Sequence, residues 1–183
     1  MKKDLTRAYV SSERGCYSKE QVDSLSFMKK DKFTVLHIVK SEIPLKDKFW
    51  FVIRKCELTT RQKQDIAIGV AEIVLSIYES KYPNNSAPRE AIQAAKDFLN
   101  GLITVKVLRQ KRNAAAYAAA YVDAAYVDAA YAAAYAADVV AVDAADVDAA
   151  YAATDAADAV KSTSKVNYTK LLSKFLVDFI NSN

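Results

Sequence analysis

The stretch NAAAYAAAYVDAAYVDAAYAAAYAADVVAVDAADVDAAYAATDAADAV, Asn113–Val160, contains no lysine, arginine, glycine or proline. Its 48 residues are 25 Ala, 8 Asp, 7 Val and 6 Tyr, with Asn113 and Thr154. All 26 basic residues of the 183-residue chain lie outside it. The tract therefore has formal charge −8, and the other 135 residues set 26 basic against 14 acidic groups, +12. The mild net charge of +4 hides this division. Alanine has the best helix propensity, so the tract reads as helix. One unbroken helix would be a rod of about 72 Å, with its tyrosines in water. Tyr117, Tyr121, Tyr131 and Tyr135 fall within about 80° on a helical wheel, with Tyr126 opposite, and such a stripe calls for a partner. Val139-Val140-Ala141-Val142, between Asp138 and Asp143, combines poor helix formers, which places a break there; a second break is expected between Thr154 and Ser164. The tract then folds as two or three antiparallel helices that approach closely over small residues. The pentapeptide Tyr121-Val122-Asp123-Ala124-Ala125 recurs at Tyr126–Ala130. A five-residue step turns a helix by about 140° net, so the repeat keeps no face and is no heptad. Repeat expansion in the gene accounts for it.

Outward from the tract, glycine and proline are rare, three each, and fall where punctuation is expected of a helical protein. On the N-terminal side, a helix starting near Leu102 carries Lys106, Arg109, Lys111 and Arg112 into the acidic tract. Gly101 stops the helix before it, whose inner face is Ile92, Ala95, Phe98 and Leu99, with Ser86 as cap and Pro88 in the first turn. Thr59 and Gln62 form a capping box for an amphipathic helix over 59–81, with Ile66, Val70, Ile73, Val74 and Ile77 inward. Ser18 and Gln21 form another, opening a helix through about Lys30. Residues 1–17 read as irregular. Segment 33–39 is a strand or a short buried helix. With the apolar core run 49–53 it offers a small N-terminal β-hairpin. Past the tract, Ser162-Thr163-Ser164 reads as linker and cap. The face Leu171, Leu172, Phe175, Leu176, Phe179 and Ile180 of a helix over 167–181 is too apolar for water and should close the fold.

The expected class is all-α: an antiparallel helical bundle or short α–α superhelix with an Ala-rich helical hairpin. A single domain spans 1–183, in segments 1–57, 58–112, 113–160 and 161–183. Two cysteines suggest a reducing compartment. No signal peptide is read, and an Asp every few residues of the tract argues against a membrane span. A cytoplasmic protein is expected.

Several runs resemble a known family. They are Glu57-Leu58-Thr59, Asp65–Leu75, Tyr78-Glu79, Tyr82-Pro83-Asn84, Pro88-Arg89-Glu90-Ala91-Ile92-Gln93-Ala94-Ala95-Lys96 and Gly101. Together they look like the alanine-rich immunity proteins of bacterial polymorphic-toxin systems and phages, over roughly residues 50–160. Ala87 departs from an arginine common in that family, and the tail is unusually rich in tyrosine. The resemblance implies a small all-α cytoplasmic protein that binds something harmful.

The residues themselves offer little catalytic chemistry. His37, the sole histidine, sits between Leu36 and Ile38 and reads as a core or groove residue. Asp143, Asp146, Asp148, Asp155 and Asp158 lack the glycine turns of a calcium loop and read as solvated helix faces. Cys16 beside Arg14 reads as an inert surface thiol. No Walker loop, nucleotide fingerprint or zinc spacing is present. No cofactor or metal is expected, and the chain reads as a non-enzyme. Arg89, Lys96, Lys106, Arg109, Lys111 and Arg112 are expected first to pair with the tract's aspartates and hold it to the body.

Three binding functions follow. The first is a neutralising protein, of immunity or phage anti-defence type, blocking a protein toxin or defence effector. Its candidate face is Tyr117, Tyr121, Tyr126, Tyr131, Tyr135, Asp123 and Asp128, suited to a basic partner. The second is a sponge for a small anionic nucleotide, held by Arg89, Lys106, Arg109 and Arg112 with tyrosines stacking. The third is a nucleic-acid binder using Lys106–Arg112. An ice-binding helix is discarded on its single tract threonine. A homo-oligomer is a further use of the tyrosine stripe, and no membrane partner is expected.

Overall fold

The computed structural model describes residues 4–12, 17–30, 33–141, 145–162 and 166–183. Two short strands, β1 (Asp4–Leu5) and β2 (Phe33–Thr34), pair antiparallel, with Asp4 opposite Thr34 and Leu5 opposite Phe33. Ten α-helices make up the rest of the regular structure among the described residues: α1 (Arg7–Ser12), α2 (Lys19–Ser24), α3 (Val35–Val39), α4 (Leu45–Lys55), α5 (Thr60–Lys81), α6 (Ala87–Leu99), α7 (Val105–Ala119), α8 (Ala124–Ala141), α9 (Ala145–Ser162) and α10 (Val166–Ser182). A 3₁₀ turn, Ser26–Lys29, follows α2. The all-α class holds.

Local chemistry sets most of the boundaries. At Ser18 and at Thr59 the hydroxyl accepts from the third helical N–H, and the Gln21 or Gln62 side chain answers the cap's own N–H. Gly101 adopts φ 70, and the Gly101 and Leu102 N–H groups donate to the carbonyls of Phe98 and Asp97. That double closure is a Schellman stop, which needs a left-handed residue at this point.

Several expectations are corrected. The helix expected through Lys30 breaks at Leu25 into α2 and the 3₁₀ turn. Residues 1–17 hold β1 and α1. Segment 49–53 lies within α4, so β2 pairs with β1 instead of forming a hairpin with it. The Ser86 hydroxyl makes no cap; it donates to Glu90, and Asn85 Oδ1 accepts the Ala87 N–H. The helix expected from Leu102 starts at Val105, capped by Thr104. Within the tract the first break is at Ala120–Asp123, four residues that no helix contains. α8 runs on through Asp138 to Ala141, and the remainder of that expected break, at Val142 and Asp143, lies outside the described residues. α9 continues past Thr154 to Ser162, and Thr163 and Ser164 of the expected linker also lie outside them.

Helices α5, α6 and α7 reverse direction in turn. The ion pairs Arg89–Glu79 and Lys96–Glu72 join α6 to α5 at residues related by reversal about Asn84, so the two run antiparallel. Lys111–Glu90 joins α7 to α6 in the same sense. α8 packs against α5, α6, α7 and α9, and α9 against α5 and α4 as well. This surrounding explains the composition of the tract. Ala129, Ala130, Ala132, Ala133, Ala134, Ala136 and Ala137 are all buried, and side chains this small let neighbouring axes approach to the short end of the ~8–10 Å range. α10 closes one side through buried Leu172, Leu176 and Ile180. Its Phe175 ring lies over Gly69 of α5, where an added Cβ would come within 2.5 Å of the ring. No helix among the described residues is long and apolar enough to cross a membrane.

Candidate functional site: an aspartate and tyrosine ladder on α8 and α9

α8 presents Asp128, Tyr131, Tyr135 and Asp138; α9 presents Asp148, Tyr151, Asp155 and Asp158. Both sets follow the spacing i, i+3, i+7, i+10, which spans about 80° of a helix. The antiparallel packing brings them into register about position 143. Three rungs are Asp128 with Asp158, Tyr135 with Tyr151, and Asp138 with Asp148, and Asp155 lies among Asp128, Asp158 and Tyr135. The tyrosine rung is direct, with the Tyr135 and Tyr151 rings 5.2 Å apart and Tyr131 stacked alongside Tyr135 at 6.3 Å. The acidic rungs show in their electrostatics. Burial raises Asp128, and Asp158 raises it further. Burial and then Asp138 raise Asp148, against the opposing pull of Arg112. Asp155 is pushed up to about 7, by burial first and then by Asp128 and Asp158. Burial, with Asp155 next, raises the Tyr135 phenol.

Among the described residues five carboxylates therefore share one strip with one bound cation. Arg112 of α7 donates from Nε and Nη2 to Asp138 Oδ2 at 2.8 and 2.7 Å. The other expected anchors pair elsewhere. Arg89 forks onto Glu79, Lys96 reaches Glu72 and Lys111 reaches Glu90, all outside the tract. The tract is thus held mainly by the burial of its alanines and valines, and the charge-anchoring expectation reduces to Arg112. Lys106 and Arg109 are exposed on α7, beside exposed Leu102, Val105 and Val107. The four cations of the expected nucleotide pocket are not gathered around the tyrosines.

The expected tyrosine stripe divides at the Ala120–Asp123 break. Tyr117 and Tyr121, 66% and 70% exposed, stack on each other at 4.5 Å at the end of α7. Tyr131 and Tyr135 remain with α8. Tyr126 faces the other way, edge-on to Tyr82 at 5.7 Å. Asp123 serves structure, its N–H donating to the Tyr82 hydroxyl at 3.0 Å. Of the expected site residues, Asp128, Tyr131, Tyr135 and Arg112 meet in the ladder. Asp138, Asp148, Tyr151, Asp155 and Asp158 join them unforeseen, although the shared spacing of the two segments was there to be read. Asp148, Asp155 and Asp158, expected on solvated faces, are partly buried between helices; Asp143 and the Asp146 side chain lie outside what is described. Among the described residues no group of three acids, cysteines or histidines is placed to hold a metal.

His37 is engaged in local structure, its Nδ1 accepting from the Thr34 N–H at 3.0 Å. Cys56 is buried, and Cys16 lies outside the described residues.

No curated protein and no solved structure matches the chain. A family model described as "Imm-5 like putative immunity protein" matches residues 57–173, from the cap of α5 into α10, and so takes in the whole ladder. The match begins and ends later than the resemblance over 50–160 and leaves α1–α4 outside. Covering 117 of 183 residues, it shows that this chain belongs to the Imm-5-like immunity protein family.

Proposed function

We propose that the chain is a non-enzymatic neutralising protein that blocks a basic protein toxin or defence effector by docking it on the α8–α9 ladder. The observation that carries this is the ladder itself, with five partly desolvated aspartates and three tyrosines against one arginine. Carboxylates this crowded are costly while they face only one another. Lysine or arginine side chains of a partner relieve that repulsion, which converts an internal cost into binding free energy. Tyr131, Tyr135 and Tyr151 add contact area at low entropic cost. The exposed Tyr117–Tyr121 pair extends the aromatic surface at the end of α7.

The test is growth rescue of cells that express the toxic product of a gene neighbouring this one. Wild-type protein restores growth and co-purifies with the toxin. Asp128→Asn/Asp148→Asn/Asp158→Asn keeps the fold and loses rescue. Undiminished rescue by the triple variant removes the ladder from the mechanism, and rescue by no neighbouring-gene pair removes the neutralising function. Because Asp155 must be ionised to meet a cation, affinity should rise between pH 6 and 8.

A further inference from the structure

Outside the family-matched residues, the 3₁₀ turn and α3 line a half-open pocket of about 380 Å³. Small-molecule sites run roughly from 300 to 1,000 Å³. Its lining includes Phe27, Lys30, Thr34, His37, Lys40 and Ser41. Lys30 and Lys40 are exposed, and no ion pair among the described residues joins either to a carboxylate. His37 adds a donor of fixed identity. Its Nδ1 accepts the Thr34 N–H, so the neutral imidazole carries its proton on Nε2. Arg7 donates from Nε and Nη2 to the Lys30 carbonyl at 3.2 and 3.0 Å, which pins this rim. Among the described residues one carboxylate touches the lining. Glu42 accepts from the Ser26 N–H and hydroxyl; its own backbone N–H first, then these contacts and Lys48, hold its carboxyl below the ordinary range. Leu36 supplies an apolar wall.

We infer that this pocket binds a small phosphate ester, its phosphate held by Lys30, Lys40 and the Nε2–H of His37, its body against Leu36. Two lysine side chains and the imidazole N–H match a dianion with three peripheral oxygens better than a singly charged carboxylate. The volume exceeds what inorganic phosphate fills. The site is separate from the ladder and stands or falls without it.

His37 is the only histidine, so its imidazole C2 proton is a single reporter in a proton NMR spectrum of the full chain. Titration with AMP should move this resonance saturably, with a dissociation constant on the order of 1 mM or tighter. Inorganic phosphate should do so more weakly. Adenosine, acetate and sodium chloride at matched ionic strength should not. Lys30→Ala/Lys40→Ala, at two exposed positions, should weaken AMP binding at least about tenfold with an unchanged circular dichroism spectrum. An unmoved resonance at about 10 mM AMP overturns the inference. So does an equal response to acetate or chloride, which would mean unselective screening, or undiminished binding by the double variant.

Discussion

Asp155→Asn is the substitution that tests the ladder's electrostatics most directly. In the fold the Asp155 carboxyl is pushed from 3.8 up to about 7. A carboxyl whose folded pKa lies above its unfolded value destabilises the fold once the unfolded chain ionises and the folded one does not. That cost is absent below about pH 3.8, grows as pH rises and levels off above about 7. Three units at 1.36 kcal/mol each set an upper limit of ~4 kcal/mol. Asp155 is only partly buried, and solvent screening brings the expected cost to ~1–2 kcal/mol. Somewhat more than half of it, ~1 kcal/mol, accrues between pH 5 and 8. That window lies above the titration of Glu20, Glu42 and Glu90, which are shifted downward. Asp128 and Asp148 are shifted upward and add slope of the same sign to both proteins. Urea unfolding should therefore show wild type losing more stability than Asp155→Asn between pH 5 and 8. With an m-value of ~2 kcal/mol/M, the divergence is a midpoint difference of ~0.5 M. At pH 8 the asparagine variant should be the more stable, by ~1–2 kcal/mol. A variant less stable than wild type at pH 8, or the same pH slope in both, would refute the reasoning.

Three further substitutions probe the packing. Gly69→Ala would place a Cβ 2.5 Å from the Phe175 ring. It should cost ~1 kcal/mol net of the helix-propensity gain, and nothing in a Phe175→Ala background, measured as a double-mutant cycle by thermal unfolding. The Tyr78 hydroxyl is buried without a hydrogen-bond partner among the described residues, so Tyr78→Phe should leave stability unchanged or raise it by up to ~1 kcal/mol, as read by chemical denaturation; a clear loss would refute this. Arg112→Gln removes the cation paired with Asp138 on the ladder and should lower stability by ~1 kcal/mol, much less once Asp138→Asn is already present.

Much of the architecture is legible in the residues. Helix starts at Ser18 and Thr59 and the stop at Gly101 rest on contacts within a few residues, which a linear sequence displays in full. Most of the inward face of α10 follows from spacing: Leu172, Leu176 and Ile180 are buried and Phe175 and Phe179 partly so, but Leu171, expected on the same face, is 49% exposed. The ladder is different. Each half is written as a helical spacing, but the rungs exist only because α9 runs back along α8 in one register. The anchoring expectation fell short for a similar reason. Lys96, Arg89 and Lys111 find acids on adjacent helices of the body, and the tract is left to pack by burial.

The repeated pentapeptide draws the line most sharply. Tyr121-Val122-Asp123-Ala124-Ala125 bends the chain between α7 and α8, and Tyr126-Val127-Asp128-Ala129-Ala130 is helix throughout. Composition by itself determined that this region is alanine-rich helix, poor in turns and strongly acidic, because propensity and charge belong to residues wherever they lie. It did not determine which copy would break. Tyr82 of the neighbouring helical pair accepts the Asp123 N–H and frees that residue from the helical ladder of hydrogen bonds, while Asp128 is carried on α8 to face α9. Identical local preferences were resolved by partners distant in sequence, and only the packed structure supplies those.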